Sequence, residues 1–130
     1  MSTPIPVSLT SQLVTRISFD YAITLLTEEG IELRLETQFT FTEPDSEPIV
    51  IDPERPDAAA MKVLSLRHKV IRAFDIAESG NLILAVESGS GIRTEPDDDY
   101  DAWTIAGLRG EKVVCLPGGG LAIWNAGMDG

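Results

Sequence analysis

The stretch LVTRISFDYAITLLTEEGIELRLETQFTF, residues 13–41, decides the fold, because apolar residues recur at every second position along it. In residues 13–25 the odd positions are mostly apolar, and the even positions include Arg16, Ser18, Asp20 and Thr24. Residues 31–41 repeat the pattern. A period of two is typical of strands with one buried and one wet face. Gly30 suits a turn residue with positive φ, so we predict that the two runs pair as an antiparallel hairpin.

A surface connection and a helix are predicted next along the chain. Residues 43–56 are rich in proline and acid and carry only a short apolar piece at residues 49–51, as a surface connection does. Pro56 suits a first helical turn, Asp57 favours the positive helix end, and three alanines follow. One amphipathic helix is therefore expected at about residues 56–68. Its apolar side consists of Met61, Val63, Leu64 and Leu66.

The rest of the chain reads as short strands separated by glycine-containing turns. The apolar runs are residues 70–77, 82–86, 103–106, 112–116 and 121–124. Together these patterns predict an α+β fold, a mostly antiparallel and strongly curved sheet or partial barrel with one helix packed on one face. We expect a single domain over residues 1–130, with flexible ends at about 1–10 and 126–130.

The net charge of the chain limits the classes of partner that it can be expected to bind. The chain has 21 acidic and 10 basic residues, which gives a formal net charge of -11. Such a surface repels nucleic acid and anionic membrane and attracts a basic protein, although acidity also serves plain solubility. No signal peptide or membrane span is evident, and a lone Cys115 cannot form an internal disulfide. These features indicate a cytoplasmic protein.

The glycine run in CLPGGGLAIW, residues 115–124, resembles a phosphate loop only superficially. A Walker loop needs a lysine and a hydroxyl residue after its last glycine, at the start of a helix. A strand pattern without a cation follows here instead. We therefore predict a structural turn formed by Pro117, Gly118, Gly119 and Gly120.

The acidic stretch EPDDDYDAW, residues 95–103, is the candidate partner-binding surface. It lacks the glycine and distal glutamate of an EF-hand loop, so no metal or other cofactor is predicted. A solvated loop is the plain alternative, and a surface that docks basic side chains is the functional one. The partner-binding hypothesis rests on Asp97, Asp98, Asp99 and Asp101.

Two further residue pairs are candidate sites. Cys115 and the only histidine, His68, lack any evident orienting group or oxyanion donor, so no catalytic residue is predicted. Trp103 and Trp124 could line a ligand pocket. Because indole rings bury a large area and both residues lie in strand patterns, we expect them to be core aromatic residues.

The C-terminal third resembles a family of small bacterial single-domain proteins of unknown function. The resemblance is carried by Tyr100-Asp101-Ala102-Trp103, by residues 107–110, and by the Pro-Gly-Gly-Gly motif within residues 113–124. It implies a shared fold more than an activity, and no catalytic residue comes with it. Proteins of this general kind are similar to immunity proteins that neutralise a toxin made by the same cell.

The sequence thus predicts a non-enzymatic interaction protein that binds a protein partner, such as a toxin domain, through its acidic surface. A first alternative is a small-ligand binder or cryptic enzyme using a cavity in the curved sheet. A second is a homodimer formed through an exposed sheet edge.

Overall fold

A computed structural model describes residues 5–126, and in that part of the chain every strand pairing is antiparallel. The strands in chain order are β1 (Val14–Phe19), β2 (Ile23–Thr27), β3 (Glu32–Leu35), β4 (Phe39–Thr42), β5 (Ile49–Ile51), β6 (Ile71–Ile76), β7 (Leu82–Val86), β8 (Gly91–Thr94), β9 (Trp103–Ala106), β10 (Lys112–Cys115) and β11 (Leu121–Trp124). Among the strands predicted in the second half of the chain, β6 pairs with β7, β7 with β8, and β10 with β11.

These strands form two open sheets around one core. The six-stranded sheet has the order β1-β2-β3-β9-β10-β11, and the five-stranded sheet has the order β5-β4-β8-β7-β6. Side chains from both sheets join a single buried cluster that includes Leu25, Leu33, Phe41, Leu84 and Trp103. Each sheet buries one face against the other, as in other two-sheet proteins. The predicted α+β class, with one curved sheet or partial barrel, is therefore wrong.

The prediction of an antiparallel hairpin at residues 13–41 is correct at its centre, but the two paired strands are shorter than predicted. β2 pairs with β3 across Gly30, whose φ is +85°. However, residues 13–25 do not form one strand, because the chain reverses at residues 20–22 and β1 pairs back onto β2. Tyr21 makes this reversal with a φ of 62°. An alternating pattern continues through so tight a turn without a visible break, and this is why the division was not predicted.

The second run is also divided, at the passage from one sheet to the other. Leu33 and Leu35 belong to β3 in the six-stranded sheet, whereas Phe39 and Phe41 belong to β4 in the five-stranded sheet. All four side chains are buried in the shared core. Since the inner faces of both sheets contact the same core, the alternation of buried and more exposed residues continues through the corner at residues 36–38.

The predicted amphipathic α-helix at residues 56–68 is instead a 3-10 helix, Ala58–Leu66. The Asp57 carboxylate caps it by accepting hydrogen bonds from the backbone N–H groups of Ala59 and Ala60, at 2.9 and 3.3 Å. Its buried residues are Ala60, Val63 and Leu66. That spacing of three matches the three residues per turn of a 3-10 helix. The other predicted core residues, Met61 and Leu64, are exposed.

The N-terminal segment of the described chain contributes to the core. The expectation of flexible ends concerned residues 1–10 and 126–130, of which 1–4 and 127–130 lie outside the described residues. Val7 and Leu9 are buried in the core cluster. None of the helices within residues 5–126 has the length and apolar character needed to cross a membrane.

Candidate functional site

The candidate site lies at one end of the sheets, where the chain twice crosses between them. Residues 36–38 lead from β3 to β4, and residues 95–102 lead from β8 to β9. In the five-stranded sheet Phe39 is opposite both Ile51 and Thr94. Because these pairings are antiparallel, residue 38, which precedes Phe39, lies at the same end of the sheet as residues 52 and 95, which follow Ile51 and Thr94.

This convergence forms a cavity of about 460 Å³, which we call the acidic groove. Tyr100 contributes an aromatic ring to its wall, and within residues 5–126 no lysine or arginine lines it. The five carboxylates of the acidic groove are Glu36, Asp52, Glu54, Glu95 and Asp97. Several carboxylates in one concavity focus a negative potential outward and favour a cationic ligand.

A second depression of about 330 Å³, the tyrosine recess, shares Glu36, Glu54 and Tyr100 with the acidic groove. Tyr21, Asp101 and one cation, Arg34, also line it. The Tyr21 side chain is 85% exposed and Tyr100 is 69% exposed, although both rings are large. Exposed tyrosines beside a concavity are typical of protein interfaces, because the ring offers an apolar body and a polar tip.

Hydrogen bonds and ion pairs fix part of this surface. The Thr104 hydroxyl donates to Glu36 Oε2 at 2.9 Å, and Arg34 Nε lies 3.6 Å from Glu36 Oε1. Arg34 also lies 3.5 Å from an Asp20 carboxylate oxygen. Glu36 is therefore held in the wall of the groove by its neighbours. In the part of the chain that the structure describes, Glu54 and Glu95 make no ion pair, so their charges remain available to a ligand.

The loop that carries the four predicted aspartates is ordered by one of them. Asp97 Oδ2 accepts hydrogen bonds from the backbone N–H groups of Asp99 and Tyr100, at 2.9 and 3.0 Å. Asp97 lines the acidic groove and Asp101 lines the tyrosine recess. Asp98 and Asp99 are exposed and line neither depression. The predicted cluster is thus divided between two adjoining depressions and the outer side of the loop.

The other groove carboxylates were missed by sequence reasoning. Glu36 reads as a polar-face residue of a strand, and Asp52 and Glu54 read as part of a surface connection. The signal that could have found them is positional, since each follows a strand directly or within three residues. Only the pairing of β4 with both β5 and β8 brings those strand ends together.

The glycine run forms a turn that is hydrogen-bonded to the loop of residues 95–102. Pro117–Gly119 is a short 3-10 turn in which Gly118 and Gly119 have φ values of 82° and 107°. The Gly118 N–H donates to the Asp97 carbonyl at 2.8 Å. Gly119 lies so close to the Ser79 carbonyl that no side chain fits there. Gly120 leads into β11 with ordinary extended geometry.

The two tryptophans occupy different environments. Trp103 is fully buried, and its indole N–H donates to the Gly80 carbonyl at 2.9 Å. Trp124 is only half-buried on β11, and Lys112 Nζ lies 5.7 Å from the centre of its ring. Trp103 therefore belongs to the core, while Trp124 makes a cation–π contact at the border of the six-stranded sheet.

The structure does not bring Cys115 and His68 together. The His68 N–H donates to the Val14 carbonyl beside β1, whereas Cys115 ends β10. Three strands lie between β1 and β10, which separates them by on the order of 19 Å. Cys115 is buried, and burial raises the pKa of its thiol. Among residues 5–126, no group of three His, Cys, Asp or Glu residues is arranged to hold a metal ion.

Comparisons with known proteins identify the chain only at the level of its family. Neither the curated proteins nor the solved structures contain a match to it. The family described as a family of unknown function, DUF6188, matches residues 5–125, a span that includes both sheets, the acidic groove and the glycine turn. The chain therefore belongs to that family of unknown function.

Proposed function

We propose that this protein is a non-enzymatic cytosolic interaction protein whose acidic groove and tyrosine recess bind a positively charged segment of another protein. The observation that carries the proposal is the convergence of five carboxylates in one concavity, to whose lining the described part of the chain contributes no lysine or arginine. Three separate chain segments supply them, so the charge concentration is a property of the fold as well as of one acidic loop.

The exposed tyrosines offer anchors that could provide the affinity that charge alone does not. Exposed carboxylates mainly raise the association rate and favour partners of opposite sign, whereas affinity comes from a few well-buried anchors. Tyr21 and Tyr100 are both highly exposed at the recess. An arginine or lysine side chain of the partner could lie over a tyrosine ring while its charge faces Glu54 or Asp101.

The backbone at Tyr21 supports a functional reason for its position. A φ of 62° is the left-handed region, which costs a residue with a Cβ roughly 1 kcal/mol or more. Glycine or asparagine at this turn would avoid most of that cost. A strained residue that also exposes a large ring is better explained by recognition than by folding.

Under this proposal, the positively charged segment belongs to a toxin domain. The support is the resemblance to small acidic immunity-type proteins together with the sign of the groove. A basic protein encoded beside the gene for this chain is the partner to test by co-expression and affinity capture.

The proposal is tested with a fluorescein-labelled arginine nonapeptide as a stand-in for the basic segment, followed by fluorescence anisotropy. The groove variant Asp52→Asn/Glu54→Gln/Glu95→Gln removes three charges from the lining. The matched control Glu29→Gln/Glu47→Gln/Asp75→Asn removes three exposed charges elsewhere and leaves the same net charge. We expect the groove variant to lose at least about tenfold in affinity and the control less than about threefold. Equal losses would show that the peptide senses only overall charge, and the groove would be rejected as the site.

A further inference from the structure

The free edges of the two sheets differ in how they are protected. An unpaired strand edge is a template for another strand, and proteins usually blunt it with bulges, prolines, charges or covering segments. The four edge strands here are β1 and β11 in one sheet and β5 and β6 in the other. Three of them carry such devices, and β11 does not.

Strands β1 and β6 are bonded at their first residues to each other's flanking segments. Each contains a bulge near its first residue. The Val14 N–H donates to the Lys69 carbonyl at 3.0 Å, and the Ile71 N–H donates to the Gln12 carbonyl at 2.8 Å. These bonds join the two sheets at the first residue of each strand, and the charged side chains of Arg16 on β1 and of Arg72 and Asp75 on β6 lie along the remainder.

Strand β5 is protected by its length and its flanks. It has only three residues, with Pro48 directly before it and Asp52 and Pro53 directly after it. A strand bounded by prolines cannot be extended in either direction as a pairing edge.

Strand β11 has four residues, Leu121–Trp124, without a proline, a bulge or an ionisable side chain. The Leu116 N–H donates to the Gly120 carbonyl at 2.7 Å, so the hydrogen-bonded pairs of the β10–β11 ladder continue at Ala122 and Trp124. The N–H and C=O groups of Leu121 and Ile123 therefore point to the outer side. Within the described chain nothing pairs with them there.

We infer that β11 is a homodimerisation edge, at which two copies pair their β11 strands antiparallel about a two-fold axis. The free groups of Leu121 match those of Ile123 in a second copy, and the axis then passes between the two Ala122 residues. Leu121 and Ile123 are half-buried against the core, so the pairing also covers apolar surface of both copies.

The β11 edge carries no ionisable side chain, so a charged peptide would find no ion-pair partner on it, whereas a second copy offers the same uncharged strand. Each copy carries a net charge of -11, yet β11 itself contributes no acid that would face its own mate. The repulsion between copies is long-range and is screened by salt. Dimerisation should therefore strengthen as salt is added, whereas binding of a basic segment in the acidic groove should weaken.

Cysteine cross-linking tests the pairing directly. At a non-hydrogen-bonded pair the two Cα atoms lie about 4.5 Å apart, within the range that a disulfide spans. Ala122→Cys should give a covalent dimer on non-reducing gels after diamide treatment. The control Ala106→Cys lies on an inner strand of the same sheet and should give far less. Native Cys115 is buried and does not compete. Equal cross-linking of the two variants would overturn the assignment.

Sedimentation equilibrium supplies an independent measurement at concentrations from about 10 µM to about 1 mM, because so small an interface is expected to be weak. The mean mass of the wild-type chain should rise from 14.1 kDa towards twice that value. Ile123→Pro removes the outward N–H, whereas Ile123→Ala removes only side-chain atoms, so the proline variant should dimerise much less than the alanine variant. A wild-type protein that stays monomeric over this range at high salt would refute the inference, whatever the groove binds.

Discussion

The indole N–H of Trp103 donates to the carbonyl of Gly80 at 2.9 Å and thereby joins the two sheets. Trp103 begins β9 of the six-stranded sheet, and Gly80 lies in the turn between β6 and β7 of the five-stranded sheet. The Cys115 thiol lies 3.6 Å from the same carbonyl. Gly80 also lies close to Pro96, which lines the acidic groove, so the stability of the core and the shape of the site are linked.

Replacing Trp103 with phenylalanine should destabilise the protein strongly. The variant loses a buried hydrogen bond and leaves a cavity, for a total of about 2–4 kcal/mol in the free energy of unfolding. Trp124→Phe is the matched control, because its ring is half-buried and its cation–π contact contributes less than about 1 kcal/mol. Urea unfolding of both variants measures the difference. Similar losses would mean that the Trp103–Gly80 contact does not stabilise the fold as described.

The three consecutive glycines should respond differently to alanine. Gly120 has a φ of -65° and open space for a Cβ, so Gly120→Ala should be neutral or stabilising by up to about 1 kcal/mol. Gly118→Ala meets no atom but is strained by its positive φ, at a cost of about 1–2 kcal/mol. Gly119→Ala adds a clash with the Ser79 backbone and should cost at least about 2 kcal/mol more. Urea unfolding gives the order. If Gly118→Ala were the most harmful, the turn would not pack on Ser79.

The buried thiol of Cys115 should make stability fall at high pH. Burial chiefly raises its pKa above the ordinary value of 9.0; the nearby charge of Asp101 adds to the rise and a backbone hydrogen bond from Ala102 opposes it. The folded state therefore holds the thiol proton more tightly than the unfolded state. This contribution is complete below pH 9 and is lost as pH rises towards the folded pKa.

The check is to compare unfolding free energies at pH 7 and pH 10 for the wild type and Cys115→Ala. The wild type should lose more stability than the variant over this interval, since both share every other titrating group. An equal loss in the two proteins would contradict the assignment of a raised pKa to Cys115.

Tyr21→Gly should separate stability from binding. Glycine accepts a φ of 62° without strain, so the free energy of unfolding should stay unchanged or rise by up to about 1 kcal/mol. Affinity for the arginine nonapeptide should fall about tenfold, because the exposed ring is lost. Tyr21→Phe keeps the ring and should retain most of the affinity. If Tyr21→Gly binds as well as the wild type, the ring at Tyr21 takes no part in recognition.

Local sequence signals predicted the turns better than the sheets. The glycines at positions 30, 80 and 89 have positive φ and sit in turns between paired strands, as their spacing indicated. The sheet assignment failed at residues 36–38, because a strand that changes sheet keeps the same face towards the core. The helix type failed because alanine-rich composition favours an α-helix, whereas the buried spacing of Ala60, Val63 and Leu66 favours a 3-10 helix.

The candidate site was predictable only in part for a related reason. Asp97 and Asp101 stand out as members of an acidic run and do line the two depressions. Asp52 and Glu95 are 43 residues apart in the sequence and meet only through the pairing of β4 with β5 and β8. Non-local pairing of this kind leaves no periodic signal in one sequence.

The most direct test of the central claim is an NMR titration of ¹⁵N-labelled protein with the arginine nonapeptide. Binding in the acidic groove predicts that the largest amide shift changes fall at residues 20–22, 36–38, 52–54 and 95–101, and that β11 is unaffected. Shift changes spread evenly over the acidic surface, or concentrated away from these segments, would contradict the proposed site.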